Sequence, residues 1–141
     1  MGVQRDERRT NLAGTSLLIR GLITIGIAVV INVVVWAIGS ALLDPPSSFA
    51  PFATVFPTIL FTVIFLAIGI GIYAVLLRRS ADPNRLFLIV ATVALLLSFL
   101  NFFALRGQEG NGPGAILVLA IMHVVAYVVA VVVLTGQRFG R

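Results

Sequence analysis

The sequence predicts an all-α fold: a polytopic membrane protein in which four antiparallel transmembrane helices form a bundle. Of its 141 residues, 60% are hydrophobic and only 11% are charged, whereas about a quarter of the residues of a soluble domain are charged. Four apolar segments, each of about 20 residues or more, are long enough to cross the hydrocarbon core of a bilayer. We place the spans at about residues 16–43, 53–77, 83–105 and 113–135, within a single domain that covers residues 1–141.

The charged residues support a membrane environment, and the composition excludes several kinds of site. The net charge is +5, but the ten basic residues are all arginine and lie at the ends of apolar segments, as is typical of membrane proteins. We therefore expect a lipid bilayer as the partner and no nucleic acid. Because the chain has no cysteine, disulfides, thiolate metal sites and dithiol redox chemistry are excluded, and we expect no cofactor.

Helix 1 follows a polar segment, residues 1–16, that contains several arginines. No cleavage site of small residues follows the apolar run at the right distance, which favours a retained helix over a removed signal peptide. Arg20 lies one turn inside the start of the helix, so its side chain should extend to the lipid headgroups. Asn32 and Trp36 are one turn apart and share a face.

An aromatic, proline-rich segment connects helix 1 to helix 2. Two prolines after residue 44 cannot continue helix 1. Phe49, Phe52 and Phe56 follow, interspersed with two further prolines. The pattern fits either a segment that lies at the membrane interface or an ordinary hydrophobic loop, and both interpretations remain open.

Small residues in the first two helices predict close helix contacts. Gly21, Gly26 and Gly39 lie in helix 1, and Ala67 and Gly71 in helix 2 have the four-residue spacing that lets helix backbones approach each other. We therefore include a homo-oligomer formed through these glycine and alanine faces among the expected partners, although such spacing often arises by chance in apolar spans.

Helix 3 has clear signals at its start. Asp82 is a favourable N-cap, and Pro83 occupies the first helical position. The polar residues of this helix are Thr92, Ser98 and Asn101, of which the last two are three residues apart and share a face.

Helix 4 contains the only histidine of the chain. The helix follows a glycine-rich segment, residues 106–113, and carries His123 near its middle, with Tyr127 one turn further on the same face. Because lipid offers no hydrogen-bond partner, both side chains should face the interior of the bundle.

The distribution of arginines predicts the orientation in the membrane. Only Arg106 lies on one side, and the other nine arginines lie on the side that holds both termini and the loop between helices 2 and 3: Arg5, Arg8, Arg9, Arg20, Arg78, Arg79, Arg85, Arg138 and Arg141. Since cytoplasmic loops carry the excess of positive charge, both termini are expected in the cytoplasm, with the chain in the cell membrane as a multi-pass protein.

A candidate intramembrane polar layer lies in the outer half of the bundle. Its members are Asn32, Trp36, Thr62, Ser98, Asn101, His123 and Tyr127. Four of them, one on each helix, lie about 10–14 Å from the outer helix ends at 1.5 Å per residue. Because a neutral imidazole both donates and accepts a hydrogen bond, His123 is the expected hub.

The layer has a structural and a functional interpretation. Hydrogen bonds between helices would hold the bundle together, at about 0.6 kcal/mol each. Alternatively, the histidine would form a proton-responsive or ligand-contacting site. We expect no catalytic, cofactor-binding or metal-binding residue in one chain, because Ser98 and His123 have no intramembrane carboxylate to complete a triad.

Two apolar motifs carry a resemblance to a known family. Residues 93–100, VALLLSFL, and residues 117–125, LVLAIMHVV, resemble a family of small four-helix membrane proteins of unknown function that is common in actinobacteria. The resemblance spans most of the chain and implies that Ser98 and His123 are family-like positions, with no established activity. The small multidrug transporters also have four short helices, but they carry a glutamate in helix 1 where Asn32 is the nearest counterpart here, which argues against proton-coupled cation export.

The sequence therefore favours a multi-pass membrane protein of unknown function that acts as a structural or accessory component and is not an enzyme. The alternative is a small transporter or channel that uses the polar layer around His123. A polar cavity that reaches His123 would favour transport, and a dry, packed bundle would favour the structural role.

Overall fold

The computed structural model describes the backbone of residues 2–136 and the side chains of residues 16–136, and these residues form five α-helices and no strand. The helices are α1 (Gly2–Leu43), α2 (Ala50–Ala53), α3 (Phe56–Arg79), α4 (Pro83–Ala104) and α5 (Pro113–Thr135). Four helical segments are long and apolar enough to cross a membrane, namely Ser16–Leu43 and the whole of α3, α4 and α5. The predicted all-α fold with four antiparallel membrane helices is confirmed.

Two helix boundaries differ from those expected. Helix α1 begins at Gly2, so the polar segment before the first span continues the helix instead of forming a separate tail. The second span begins at Phe56 instead of about residue 53, because Ala50–Ala53 form a separate helix and the chain is extended at Thr54. The basic segment 137–141, with Arg138 and Arg141, lies outside the described residues, as do the side chains of the first fifteen residues.

Prolines mark the starts of the helices. Each of α2, α3, α4 and α5 has a proline in its first or second position, where the missing N–H removes no helical hydrogen bond. The predicted N-cap of α4 is also confirmed, since Asp82 Oδ1 accepts a hydrogen bond from the backbone N–H of Arg85 at 3.2 Å.

The four long helices form an up-down-up-down bundle. Helix α1 packs mainly on α5 and α3, and α4 packs on the same two helices, so neighbouring helices run antiparallel. Helix α4 is the most exposed: only 6% of its most apolar stretch is buried, against 22% for Ser16–Leu43. Large aliphatic and aromatic side chains cover the outside of the bundle, as expected where lipid is the solvent.

The two ends of the bundle carry loops of different composition. The basic end carries residues 78–85, which contain three arginines, and the glycine-rich end carries residues 44–55 and 105–112. The two connections at the glycine-rich end touch at Gly110, which has a φ of +89°. A Cβ atom there would lie 2.8 Å from Pro46, so both the backbone conformation and the space require glycine.

The aromatic segment after α1 closes the glycine-rich end. Phe49 is fully buried and Phe52 is 5% exposed, and their rings stack with centroids 5.9 Å apart. They pack with Ala115 and Trp36 in a buried cluster, whereas Phe56 is 64% exposed. The segment is therefore part interior and part surface, so neither open interpretation describes all three phenylalanines.

The small residues also divide into two groups. A Cβ atom on Gly39 would lie 2.7 Å from Val118, and one on Gly21 would lie 3.1 Å from Ile70, so both glycines serve contacts within the bundle. Apart from its chain neighbours and the nearby backbone of α1, no described atom lies within 4 Å of a Cβ built on Gly26. Of the three glycines predicted to permit close contact in helix 1, Gly26 alone does not do so inside the bundle.

Candidate functional site

Two polar contacts at the basic end each join two of the long helices. Tyr73 Oη of α3 donates to Asn84 Oδ1 of α4 at 2.7 Å, and the Tyr73 ring packs on Phe87 with centroids 4.9 Å apart. Arg20 of α1 makes a long contact, 3.5 Å from Nη1, with the carbonyl oxygen of Leu134 in α5. The last carbonyl groups of a helix lack helical partners and favour a cation, so Arg20 stabilises the end of α5.

A second polar pair connects α4 and α5. The hydroxyl oxygens of Thr92 and Tyr127 are 3.0 Å apart. Thr92 Oγ1 also donates to the carbonyl oxygen of Leu88 at 2.8 Å. Because that bond uses the only hydroxyl proton of Thr92, Tyr127 must be the donor between the two helices.

The third pair connects α1 and α3. Asn32 Nδ2 donates to Thr62 Oγ1 at 3.1 Å, and Asn32 is only 2% exposed. Among the seven predicted members of the polar layer, Asn32 and Thr62 are thus hydrogen-bonded to each other. The structure pairs Tyr127 with Thr92, a residue of helix 3 outside the predicted layer.

His123 bonds within its own helix. Its Nδ1 lies 2.7 Å from the carbonyl oxygen of Leu119, and since a carbonyl oxygen only accepts, Nδ1 carries the proton. The ring meets Phe99 and Phe102 edge-on, with centroids 6.4 and 5.7 Å apart. Among the described side chains, His123 has no hydrogen bond to any of the three interhelical pairs, so it is not the predicted hub.

Ser98 and Asn101, the two predicted members of the layer on α4, have no hydrogen bond to His123 among the described residues. Ser98 Oγ donates to the carbonyl oxygen of Leu95 at 2.6 Å, also within its own helix. Asn101 is exposed near the end of α4. Serine and threonine hydroxyls commonly bond to the carbonyl three or four residues earlier in a helix. The predicted layer rested on the depth of each residue in the bundle, which does not show whether a side chain has such a local partner.

Three buried polar atoms follow one face of α1 without a hydrogen-bond partner among the described residues. They are Asn32 Oδ1, Trp36 Nε1 and Ser40 Oγ, and their four-residue spacing extends over about 12 Å towards the glycine-rich end. A buried polar atom without a partner costs about 1–3 kcal/mol, so ordered water is the ordinary partner for such atoms.

A fourth such atom lies in the glycine-rich loop. Asn111 Nδ2 donates to the carbonyl oxygen of Leu105 at 2.8 Å, but its Oδ1 is buried without a partner. Asn111 lines a cavity of about 410 Å³ together with Asp44 and Pro46. The polar face of α1 and this cavity lie in the same half of the bundle.

The comparison with known proteins covers nearly the whole chain. One family model matches residues 13–139, a range that includes all four membrane helices. The chain belongs to DUF6069, a family of unknown function. No curated protein and no solved structure matches it. Membership of DUF6069 agrees with the resemblance to a family of unknown function and gives no residue a role.

Several polar positions of this DUF6069 protein were not predicted from the sequence. Ser40 continues the four-residue spacing of Asn32 and Trp36, and that spacing could have identified it. Tyr73 and Asn84 face each other across the loop between α3 and α4, and an antiparallel hairpin of helices brings such positions together. No local signal distinguishes Asn111 from an ordinary loop residue. Among the described residues of this DUF6069 chain, no group of three or more histidine and acidic side chains is placed to hold a metal ion.

Proposed function

We propose that this DUF6069 protein is a structural or accessory component of the cell membrane without catalytic activity. The observation that supports this function is the use of the polar groups inside the spans. Hydrogen-bonded side-chain pairs join α1 to α3, α3 to α4 and α4 to α5. Bonds of this kind orient helices that lipid alone would leave free to rotate against one another.

The geometry of Ser98 and His123 also favours a role without catalysis. A serine nucleophile needs a base that accepts its proton, and that base is oriented by a third group. Ser98 Oγ instead donates its proton to the carbonyl oxygen of Leu95, and among the described residues no hydrogen bond joins Ser98 to His123. Ser98 is therefore not paired with the imidazole that would have to act as its base.

A small channel or transporter is the second candidate function. The unpartnered face of α1, formed by Asn32 Oδ1, Trp36 Nε1 and Ser40 Oγ, is the observation that favours it. Water that solvates these atoms would form the outer part of a path for protons or solutes. To cross the bundle, that path would have to continue past the Asn32–Thr62 pair.

A flux assay separates the two functions. Vesicles that contain the purified protein and pyranine are placed in a pH gradient, and proton entry is compared with that in empty vesicles. We expect equal rates, because a buried apolar cluster that includes Ala28, Leu66 and Val131 fills the interior beyond Asn32. Faster entry that Trp36→Phe abolishes would overturn the structural proposal, since this change keeps an aromatic ring and removes the Nε1 donor.

We further propose that the basic end and both termini lie in the cytoplasm, because membrane proteins retain positive loops on that side. The absence of cysteine allows a test with single-cysteine variants and no background. In intact cells, Ala81→Cys at the basic end should be protected from a membrane-impermeant maleimide, and Gln108→Cys at the glycine-rich end should be labelled. Both positions are exposed, so both should react after lysis. The reverse pattern in intact cells would contradict the orientation.

The proposal also covers the bacterial source of the protein and its self-association. The family that the sequence resembles is common in actinobacteria. We infer that DUF6069 is that family and that this protein comes from the same group of bacteria. A homo-oligomer would use the small residues that the bundle leaves exposed, which are Gly26, Ala67 and Gly71.

A further inference from the structure

A groove between α4 and α5 opens on the surface of the bundle at the glycine-rich end. Its volume is about 370 Å³, and its lining residues are Phe99, Phe102, Phe103, Arg106, Ile116 and Ala120. We propose that this groove binds an anionic phospholipid, with the phosphate at Arg106 and an acyl chain between the two helices. This inference concerns a site that the structural proposal does not use.

The groove follows from the way the two helices pack. Thr92 and Tyr127 tie α4 to α5 deeper in the bundle. Towards the glycine-rich end, α5 presents Ile116 and Ala120 at four-residue spacing, and the small side chain of Ala120 leaves room between the helices. His123 lies at the inner end of the groove, where its ring meets the phenylalanine rings of α4.

The walls of the groove suit an acyl chain. Five of the six lining residues are apolar, and three of them are phenylalanines of α4. Helix α4 is the most exposed of the spans, so the groove faces the surrounding lipid and not the interior. An apolar groove that stays empty loses the dispersion contacts of its lining atoms, which a lipid chain restores.

Arg106 supplies the charge at the mouth of the groove. It lies two residues beyond the end of α4, which is the level of the lipid headgroups. Its guanidinium carbon lies 4.2 Å from the centroid of the Phe103 ring, which holds the cation over the groove. Among the described side chains no carboxylate pairs with Arg106, and Glu109, the nearest acidic residue in sequence, is exposed in the loop.

The chemistry of this cation points to a phosphate. A guanidinium presents a planar set of donors that matches two phosphate oxygens, and it is more weakly hydrated than an ammonium. Arg106 is the only arginine at this end of the bundle. Charge complementarity at the mouth and apolar walls below it together describe a lipid with an anionic headgroup.

Native mass spectrometry of the purified protein tests the site directly. Dioleoylphosphatidylglycerol and dioleoylphosphatidylcholine are added at equal concentration, and the bound fractions are compared. We expect the wild type to prefer phosphatidylglycerol, and Arg106→Gln to lower its apparent affinity about tenfold, the loss of one charge-assisted hydrogen bond. The matched control Arg85→Gln removes an arginine from the basic end and should keep the preference.

Two further variants separate the parts of the proposal. Ala120→Leu should weaken binding of both lipids, because the added side chain occupies the groove, and Arg106→Lys should keep part of the preference. The thermal unfolding temperature without lipid shows that each variant is folded. An equal affinity of the wild type for both lipids, or a preference unchanged in Arg106→Gln, would overturn the site. Displacement of phosphatidylglycerol by millimolar inorganic phosphate alone would show that Arg106 binds only the ion and would overturn the lipid assignment.

Discussion

Gly39→Leu should lower the thermal unfolding temperature much more than Gly26→Leu, although both variants replace a glycine of α1. A Cβ atom on Gly39 would lie 2.7 Å from Val118 Cγ1 and 3.2 Å from Phe52 Cε1. A Cβ on Gly26 would meet no described atom within 4 Å apart from its chain neighbours and the nearby backbone of α1. A leucine at residue 39 must therefore separate α1 from α5 or displace α2. Overpacking of this kind costs about 3 kcal/mol, and the free energy of unfolding in detergent, measured by circular dichroism, gives the comparison.

The partner side chain provides a control for this prediction. Val118→Ala removes the two methyl groups that a new side chain at residue 39 would meet. The double variant Gly39→Ala with Val118→Ala should therefore be more stable than Gly39→Ala alone. If Gly39→Leu unfolds at the same temperature as Gly26→Leu, α1 and α5 do not pack as closely as the structure indicates at the glycine-rich end.

The positions of the helices could be predicted from the sequence because their signals are local. Apolar length fixes each span, and prolines at the helix starts fix where the spans begin. The N-cap of α4 needed only Asp82 and its neighbours. The start of α3 was missed because the short helix Ala50–Ala53 continues the apolar run without a break in composition.

The polar contacts were harder to predict because depth does not determine which way a side chain points. Asn32 and Thr62 were both assigned to the layer, and the structure pairs them. His123 and Ser98 lie at the same depth but bond to carbonyl groups of their own helices. The rotation of each helix about its axis is set by packing across the bundle, which no single span encodes.

The burial of the three phenylalanines after α1 was also difficult to predict from the sequence. Phe49, Phe52 and Phe56 are spaced at three and four residues, so a single continuous helix would place them on one face. The break at Thr54 separates them: the first two point into the bundle and the third outwards. Which phenylalanine is buried depends on that break, which the spacing of the three residues does not show.

Phe49→Ala should therefore destabilise the protein strongly, whereas Phe56→Ala should have little effect. Phe49 is fully buried, stacks on Phe52 and lies against Gly110, whereas Phe56 is 64% exposed. Truncation of a buried phenylalanine leaves a cavity and costs about 3–5 kcal/mol, and van der Waals packing of this kind is the main stabilising contribution where lipid is the solvent. The free energy of unfolding in detergent gives the comparison.

The pair of variants also tests how the two connections at the glycine-rich end depend on each other. Because Phe49 contacts the α4–α5 loop at Gly110, its removal should loosen that loop, and Gln108→Cys should then react faster with maleimide in the Phe49→Ala background than in the Phe56→Ala background. Equal rates in the two backgrounds would show that the loop is held by its own turns. In that case Phe49 would fill the end of the bundle without holding the loop, and the conformation of the loop, including the left-handed Gly110, would be determined by its local sequence alone.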